Sequence, residues 1–168
     1  MIGSREDLAV YFNGLGFKTG AEIGVLAGHY SEILCKANSA LKLFCVDSWG
    51  IGERKRRDYH LRMYEEAKIR LAPYDTTLIH EVSMEAVKKF ADESLDFVYI
   101  DANHQPEFVR DDINEWGKKV RKGGIVSGHD YFEKVKTVVD EYVESNNMKL
   151  YITATKSDKA LSWWFVKI

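Results

Sequence analysis

Short apolar runs of β type alternate along this chain with stretches whose apolar residues recur every three or four positions. Ser4, three residues ahead of Asp7, predicts a capped first helix over 4–15, with Gly14 and Gly16 as stop signals. A strand is expected at 21–25. Tyr30, Ile33, Leu34 and Ala37 then fall at i, i+3, i+4 and i+7, the apolar stripe of an amphipathic helix. Residues 41–46 read as a second strand ending at Asp47. A Gly- and Arg-rich loop over 50–58 leads to a helix marked by Met63, Tyr64, Ala67 and Leu71. A third strand is expected at 77–82, and a short helix carries Ala86, Val87, Phe90 and Ala91.

Leu95–Ile100 is the clearest buried strand and stops at Asp101. Val109, Ile113, Trp116 and Val120 space a helix behind it, and Gly123-Gly124 turns the chain into a fifth strand at 125–127. Val135, Val138, Val139, Tyr142 and Val143 give one more helical stripe, followed by strands at 149–153 and 162–166. No helix-length pattern separates the last two, so the final strand is expected to pair antiparallel to its neighbour. The pattern specifies about seven strands in a doubly wound, Rossmann-like α/β sheet, mostly parallel with an antiparallel last strand. No linker or repeat divides residues 1–168, so a single domain is expected.

Composition narrows the function classes. A formal net charge of −2 gives no field that would recruit nucleic acid or an anionic membrane. No segment approaches the ~20 apolar residues of a membrane span, and the N-terminus carries no signal-like apolar run, so a cytoplasmic protein is expected. Cys35 and Cys45 sit in apolar surroundings without zinc-type spacing and read as buried, reduced thiols.

In an open α/β sheet, ligands bind beyond the carboxyl ends of the strands. Here those ends carry Glu22, Gly24, Gly28 and Ser31 after the first strand, Asp47-Ser48-Trp49 after the second and Ser83 after the third. Asp101-Ala102-Asn103-His104 follows the fourth and Gly128-His129-Asp130-Tyr131 the fifth. Gly24 and Gly28 lack Cβ atoms, which would let a ligand approach the backbone. Their GxxxG spacing is not the GxGxxG of dinucleotide binders. Glu22 would repel a pyrophosphate and hold a cationic ammonium, while Asp47 is placed to accept both hydroxyls of a ribose.

AEIGVLAGHYS, LFCVDSW, LDFVYIDANHQPEFVRDDI and GGIVSGHDY together resemble the class I S-adenosylmethionine methyltransferases. More narrowly, they resemble the small subfamily that includes the macrocin-type sugar O-methyltransferases, over residues 20–131. The resemblance implies cofactor contacts from Glu22, Gly24, Gly28, Ser31, Asp47, Ser48 and Ser83, with Asp101 below the sulfonium. Ser83 would lie near the adenine. It also implies a histidine at the His104 spacing, suited to take a proton from an acceptor hydroxyl. The other reading of His104 is a loop residue that caps the next helix or binds water.

Asp101 and Asp130 end adjacent strands and, with His129, are the candidate ligands of a divalent cation such as Mg²⁺, as metal-dependent members of the family imply. His129 stands where those relatives carry a second carboxylate, and imidazole suits softer ions than Mg²⁺. The ion-free alternative is a hydrogen-bonded pair. The basic run 52–57 reads as a solvated loop, or else as a lid or a clamp for an anionic acceptor. Trp163-Trp164-Phe165 reads as packing, with a subunit contact as the alternative. The expected activity is methyl transfer from S-adenosylmethionine to a small hydroxylated acceptor such as a sugar, catalysed by His104 and Asp101. A homodimer would complete so small a pocket, although no residue requires one. The rival readings are a non-catalytic cofactor-binding module and a nicotinamide-dependent oxidoreductase.

Overall fold

The capping box at Ser4 is formed: its Oγ accepts the Asp7 N–H at 3.2 Å, and the Asp7 carboxylate accepts the Ser4 N–H at 3.2 Å. This starts α1 (Arg5–Gly14). There follow β1 (Thr19–Ile23), α2 (His29–Ala37), β2 (Lys42–Asp47), α3 (Arg57–Leu71), β3 (Thr76–His80) and the single turn α4 (Ser83–Ala86), continued as a 3₁₀ turn over Val87–Lys89. The chain then runs through β4 (Leu95–Ile100), α5 (Pro106–Lys119), β5 (Val120–Gly128), α6 (Glu133–Ser145), β6 (Tyr151–Ile152) and β7 (Trp163–Val166). The computed structural model describes residues 2–52, 55–154 and 161–168, so residues 53 and 54 of the basic run lie outside it.

The strands form one sheet in the order β3-β2-β1-β4-β5-β7-β6. β1 to β5 are parallel, because a helix carries the chain back after each, and β7 runs antiparallel to both β5 and β6. Strand order reverses at β1 and β4, which places a crevice at their carboxyl ends.

Three local expectations shift. β5 begins at Val120, five residues early, because Gly123-Gly124 lies inside the strand as an irregularity opposite Leu95 and Phe97 rather than as a turn before it. Gly124 is required there: a Cβ would lie 2.4 Å from the Asp96 carbonyl oxygen. α3 begins at Arg57, within the expected loop, and β6 shrinks to two residues at the sheet's edge.

The two faces of the sheet carry separate cores. α5 and α6 cover one with Val109, Ile113, Trp116, Val138 and Val139 against Ile23, Val98, Ile100 and Val126. α1, α2 and α3 cover the other with Leu8, Phe12, Tyr30, Leu34 and Leu71 against Leu43, Cys45, Phe97 and Tyr99. Period-two alternation sends Trp163 and Phe165 to the first core and Trp164 to the second. Both thiols are buried, and burial pushes Cys35 up to about 12, which makes it inert. At the amino-terminal ends of the strands, Asp96 gathers the Lys18 and Thr19 N–H groups at 2.7 and 2.9 Å and the Arg121 Nε at 2.7 Å. No helix among the described residues is long and apolar enough to cross a membrane.

Gly128 faces Trp163 across the β5–β7 ladder, and a Cβ on it would lie 2.5 Å from both the Ile100 carbonyl oxygen and the Trp163 ring. Gly128→Ala is expected to destabilise the protein by about 1–3 kcal/mol through overpacking, measured by urea unfolding. An unchanged midpoint would show that the ladder can open at no cost.

Candidate active site

β1 runs into the crevice through a loop whose shape is set by its neighbours. Gly24 has φ +92°, and a Cβ there would lie 2.1 Å from the Asp101 carbonyl oxygen. Gly28 has φ +76°, and a Cβ would meet the Leu71 side chain at 3.1 Å. These glycines therefore make room for the chain after β4 and for α3, where the sequence suggested room for a ligand. Between them Leu26 holds a left-handed conformation at φ +51°. Its N–H donates to Asp47 Oδ2 at 2.8 Å, and its carbonyl accepts the Trp49 indole N–H at 2.8 Å. Asp47 Oδ2 also accepts the Val25 N–H at 2.9 Å, and Oδ1 accepts the Trp49 N–H at 2.7 Å.

A cavity of about 940 Å³ opens over the strand ends, at the large end of the range for small-molecule sites. Six of the residues singled out from the sequence line it: Glu22, Gly24, Asp47, Ser48, Ser83 and Asp101. Across the sheet they follow strand order, with Ser83 beyond β3, Asp47 at the end of β2, Glu22 on β1 and Asp101 beyond β4. Gly28 is buried against α3. Ser31 is buried on α2 and reaches the site through Glu22, to which its hydroxyl donates. The wall also contains residues that the sequence reading passed over, among them Arg5, Tyr30, Val82, Met84, Phe108 and Asp112. Of these, Asp112 had a readable signal: an acid standing on the apolar stripe of a helix.

Glu22 is 2% exposed, and burial raises its carboxyl to about 8 against the Ser31 hydrogen bond; the charges of Asp101 and Asp47 push the same way. Arg5, which also stacks 5.5 Å from the Tyr30 ring centre, counters them. Ser83 Oγ donates to Asp112 and accepts the Trp116 indole N–H at 2.8 Å.

Beside Asp101 the ends of β4 and β5 bring four titratable groups together. His104 Nε2 lies 3.1 Å from Asp130 Oδ2 and 3.7 Å from Asp101 Oδ1. His129 Nδ1 lies 3.4 Å from Asp130 Oδ1 and 3.8 Å from Asp101 Oδ2. Hydrogen bonding to Asp101, together with the Asp130 charge, raises the His104 pKa above its ordinary value. One ligand atom from each of Asp101, His104 and Asp130 fits within 4.8 Å of the others. The tightest donor set thus includes His104 where the sequence suggested His129. Two carboxylates and an imidazole do not suit the all-oxygen shell of Mg²⁺; they fit an imidazole-tolerant divalent ion such as Mn²⁺ or Zn²⁺.

An acid on the central strand, an acid ending the next and a crevice at the point of strand reversal give a cavity with acidic walls at the carboxyl ends of a Rossmann-like sheet. The chain belongs to the methyltransferase-domain family, whose model matches residues 21–131. No curated protein sequence matches the chain. Among solved structures, an O-methyltransferase from Bacillus cereus in complex with S-adenosylhomocysteine superposes with a TM-score of 0.71 at 14% identity, over 97% of this chain and 80% of that one. An O-methyltransferase of tomaymycin synthesis from Streptomyces achromogenes, in complex with S-adenosylmethionine, gives 0.72 at 15% identity, over 98% and 79%. A precorrin-6y C5,15-methyltransferase from Geobacter metallireducens also gives 0.72, at 12% identity over 97% and 87%. At these identities the likeness is one of fold, and it spans acceptors of different kinds.

Glu22 supplies a pH signature. Its folded pKa, about 8, lies above the ordinary 4.5, so its contribution to stability is intact below about 4.5 and is lost as pH rises towards 8. Glu22→Gln keeps an acceptor for Ser31 and removes the titration. The variant is expected to match the wild type near pH 4.5 and exceed it at pH 8.5, by on the order of a few kcal/mol in urea unfolding. Parallel stability curves for the two proteins would mean that Glu22 is ionised in the folded state.

Proposed function

We propose that the protein is an S-adenosylmethionine-dependent O-methyltransferase acting on a small hydroxylated acceptor, in the manner of the macrocin-type sugar O-methyltransferases. The observation that carries this reading is the order of the cavity wall. Glu22 and Asp101 offer negative charge for the ammonium and the sulfonium, Asp47 comes next for a ribose hydroxyl, and Val82, Met84 and Phe108 form an apolar slot for a flat base. A nicotinamide cofactor would instead set its pyrophosphate against Glu22.

The residues then divide the chemistry. Methyl transfer forms an oxygen–carbon bond as the sulfur–carbon bond breaks, the sulfonium becoming a neutral thioether. Asp101 supports the cation until it is discharged, and positioning supplies most of the acceleration. The acceptor's proton passes to His104 Nε2, and the imidazolium so formed is held by Asp101 and Asp130, whose contacts raise its pKa. The second reading is favoured by the same cluster: a divalent ion held by Asp101, His104 and Asp130, which would polarise the acceptor oxygen.

Calorimetry with S-adenosylhomocysteine tests the cofactor. Binding is expected in the wild type and is lost in Glu22→Ala/Asp47→Ala; no binding by the wild type removes the reading. Because an ammonium would draw Glu22 from its raised pKa into the ionised state, binding at pH 7 should release close to one proton, read from the heats in buffers of different ionisation enthalpy. His104→Ala should keep S-adenosylhomocysteine affinity and lose at least about 100-fold in methyl transfer to a panel of sugars and catechols. If the variant turns over like the wild type, His104 is not the base. Loss of activity on chelation, restored by Mn²⁺, would assign the cluster to a metal.

A further inference from the structure

The loop after β2 and the start of α3 form one side of the cavity, which Ser48, Ile51 and His60 line. Gly50, at φ +82°, packs this loop against α3: a Cβ on it would lie 3.0 Å from the His60 ring. The His60 N–H donates to the Arg56 carbonyl at 3.0 Å, so Arg56 and Arg57 stand one turn ahead of His60 on the same helix face. Lys55 precedes them, and all three are exposed. Elsewhere on the helices exposed lysines meet acids, Lys36 with Glu32 at 2.9 Å, Lys68 with Glu65 at 2.9 Å and Lys118 with Glu115 at 2.6 Å. Lys55, Arg56 and Arg57 make no ion pair among the described residues. Three adjacent cations thus stand unneutralised at the rim of a cavity whose interior is acidic.

We propose that Lys55, Arg56 and Arg57 form an anion subsite at the cavity rim, and that the methyl acceptor carries a phosphate group held there. The inference rests on the cofactor and acceptor reading given above. Guanidinium groups present paired N–H donors that match two phosphate oxygens at once, and the lysine adds a point charge. The Asp47 and Asp101 carboxylates inside the cavity repel an anion, so the phosphate stays at the rim and only the neutral, hydroxylated part of the acceptor enters towards His104. A neutral sugar would make no use of the three cations. The phosphate of a monoester and that of a diphosphate share this chemistry.

Calorimetry with inorganic phosphate and pyrophosphate at low ionic strength, with and without S-adenosylhomocysteine, tests the subsite. The wild type is expected to bind at least one anion, and Arg56→Gln/Arg57→Gln to bind it at least about tenfold more weakly, having lost charge-assisted hydrogen bonds. Arg62→Gln removes the same charge from the face of α3 opposite His60 and should leave the affinity unchanged. Tighter binding of pyrophosphate than of phosphate marks a diphosphate-bearing acceptor such as a nucleotide sugar; equal binding marks a phosphate monoester. No binding of either anion by the wild type overturns the proposal, and so does an equal loss in the Arg56/Arg57 and Arg62 variants, which would reduce the cluster to bulk charge. In methyl transfer, the wild type should favour sugar phosphates over the parent sugars at least about tenfold through KM, and the double variant should lose that preference with kcat kept. Equal use of both by the wild type overturns the acceptor assignment. Anion binding without S-adenosylhomocysteine binding would overturn the cofactor reading itself.

Discussion

Three backbone N–H groups, from Val25, Leu26 and Trp49, converge on the carboxylate of Asp47, and the rest of the cavity is hung from that junction. The bonds pin the loop after β1 to the end of β2 and hold Leu26 in a conformation that a branched side chain adopts only when its surroundings impose it. Trp49 closes the ring by donating its indole N–H back to Leu26. With the loop fixed, Gly24 can lie against Asp101, and Glu22 and Asp101 come to share one wall. The junction also limits the chemistry. A carboxylate has about four acceptor positions, and three of those on Asp47 are already taken by the backbone.

Charge is treated differently at the cavity and at the surface. Glu22 and Asp112 are buried in the cavity wall, and burial raises both carboxyls. On the surface, hydrogen bonds to Lys36 and Lys119 lower the pKa of Glu32 and Asp92. Exposed pairs of that kind contribute little to folding. The buried pair costs stability, and a fold that only needed to pack would place apolar side chains there. That expense falls at two points in the wall of a single cavity, where perturbed buried carboxyls mark a candidate functional site.

Much of this architecture is legible in the sequence because it is local. The Ser4–Asp7 capping box, the apolar run at β4 and the stripes of α2, α5 and α6 each declare themselves within a few residues, and the polar strand ends follow from the strands. What is hidden depends on distant contacts. Nothing near Gly24 reveals that the Asp101 carbonyl will occupy its Cβ position, and nothing near Arg5 reveals that α1 brings it beside Glu22 and Tyr30. The Gly123-Gly124 pair signals a turn, and only the approach of Asp96 makes it an irregularity within β5. Asp112 is a different case. Counting apolar positions along α5 steps over the one acid on the stripe, although an exception to a periodic pattern is itself a signal.

The cluster beyond β4 and β5 carries a conflict that its geometry makes sharp. A ring nitrogen lone pair can bind a cation or accept a proton, but not both at once. His104 Nε2 belongs to the compact donor set and is also the base in the mechanism we propose. His129, with Nδ1 near both carboxylates, stands on the more buried side of the cluster. Half exposed, His104 is the member that an acceptor entering from solvent would meet. In the ion-free arrangement of the proposed mechanism, the same two carboxylates that would have bound a metal would instead stabilise the imidazolium formed by proton transfer.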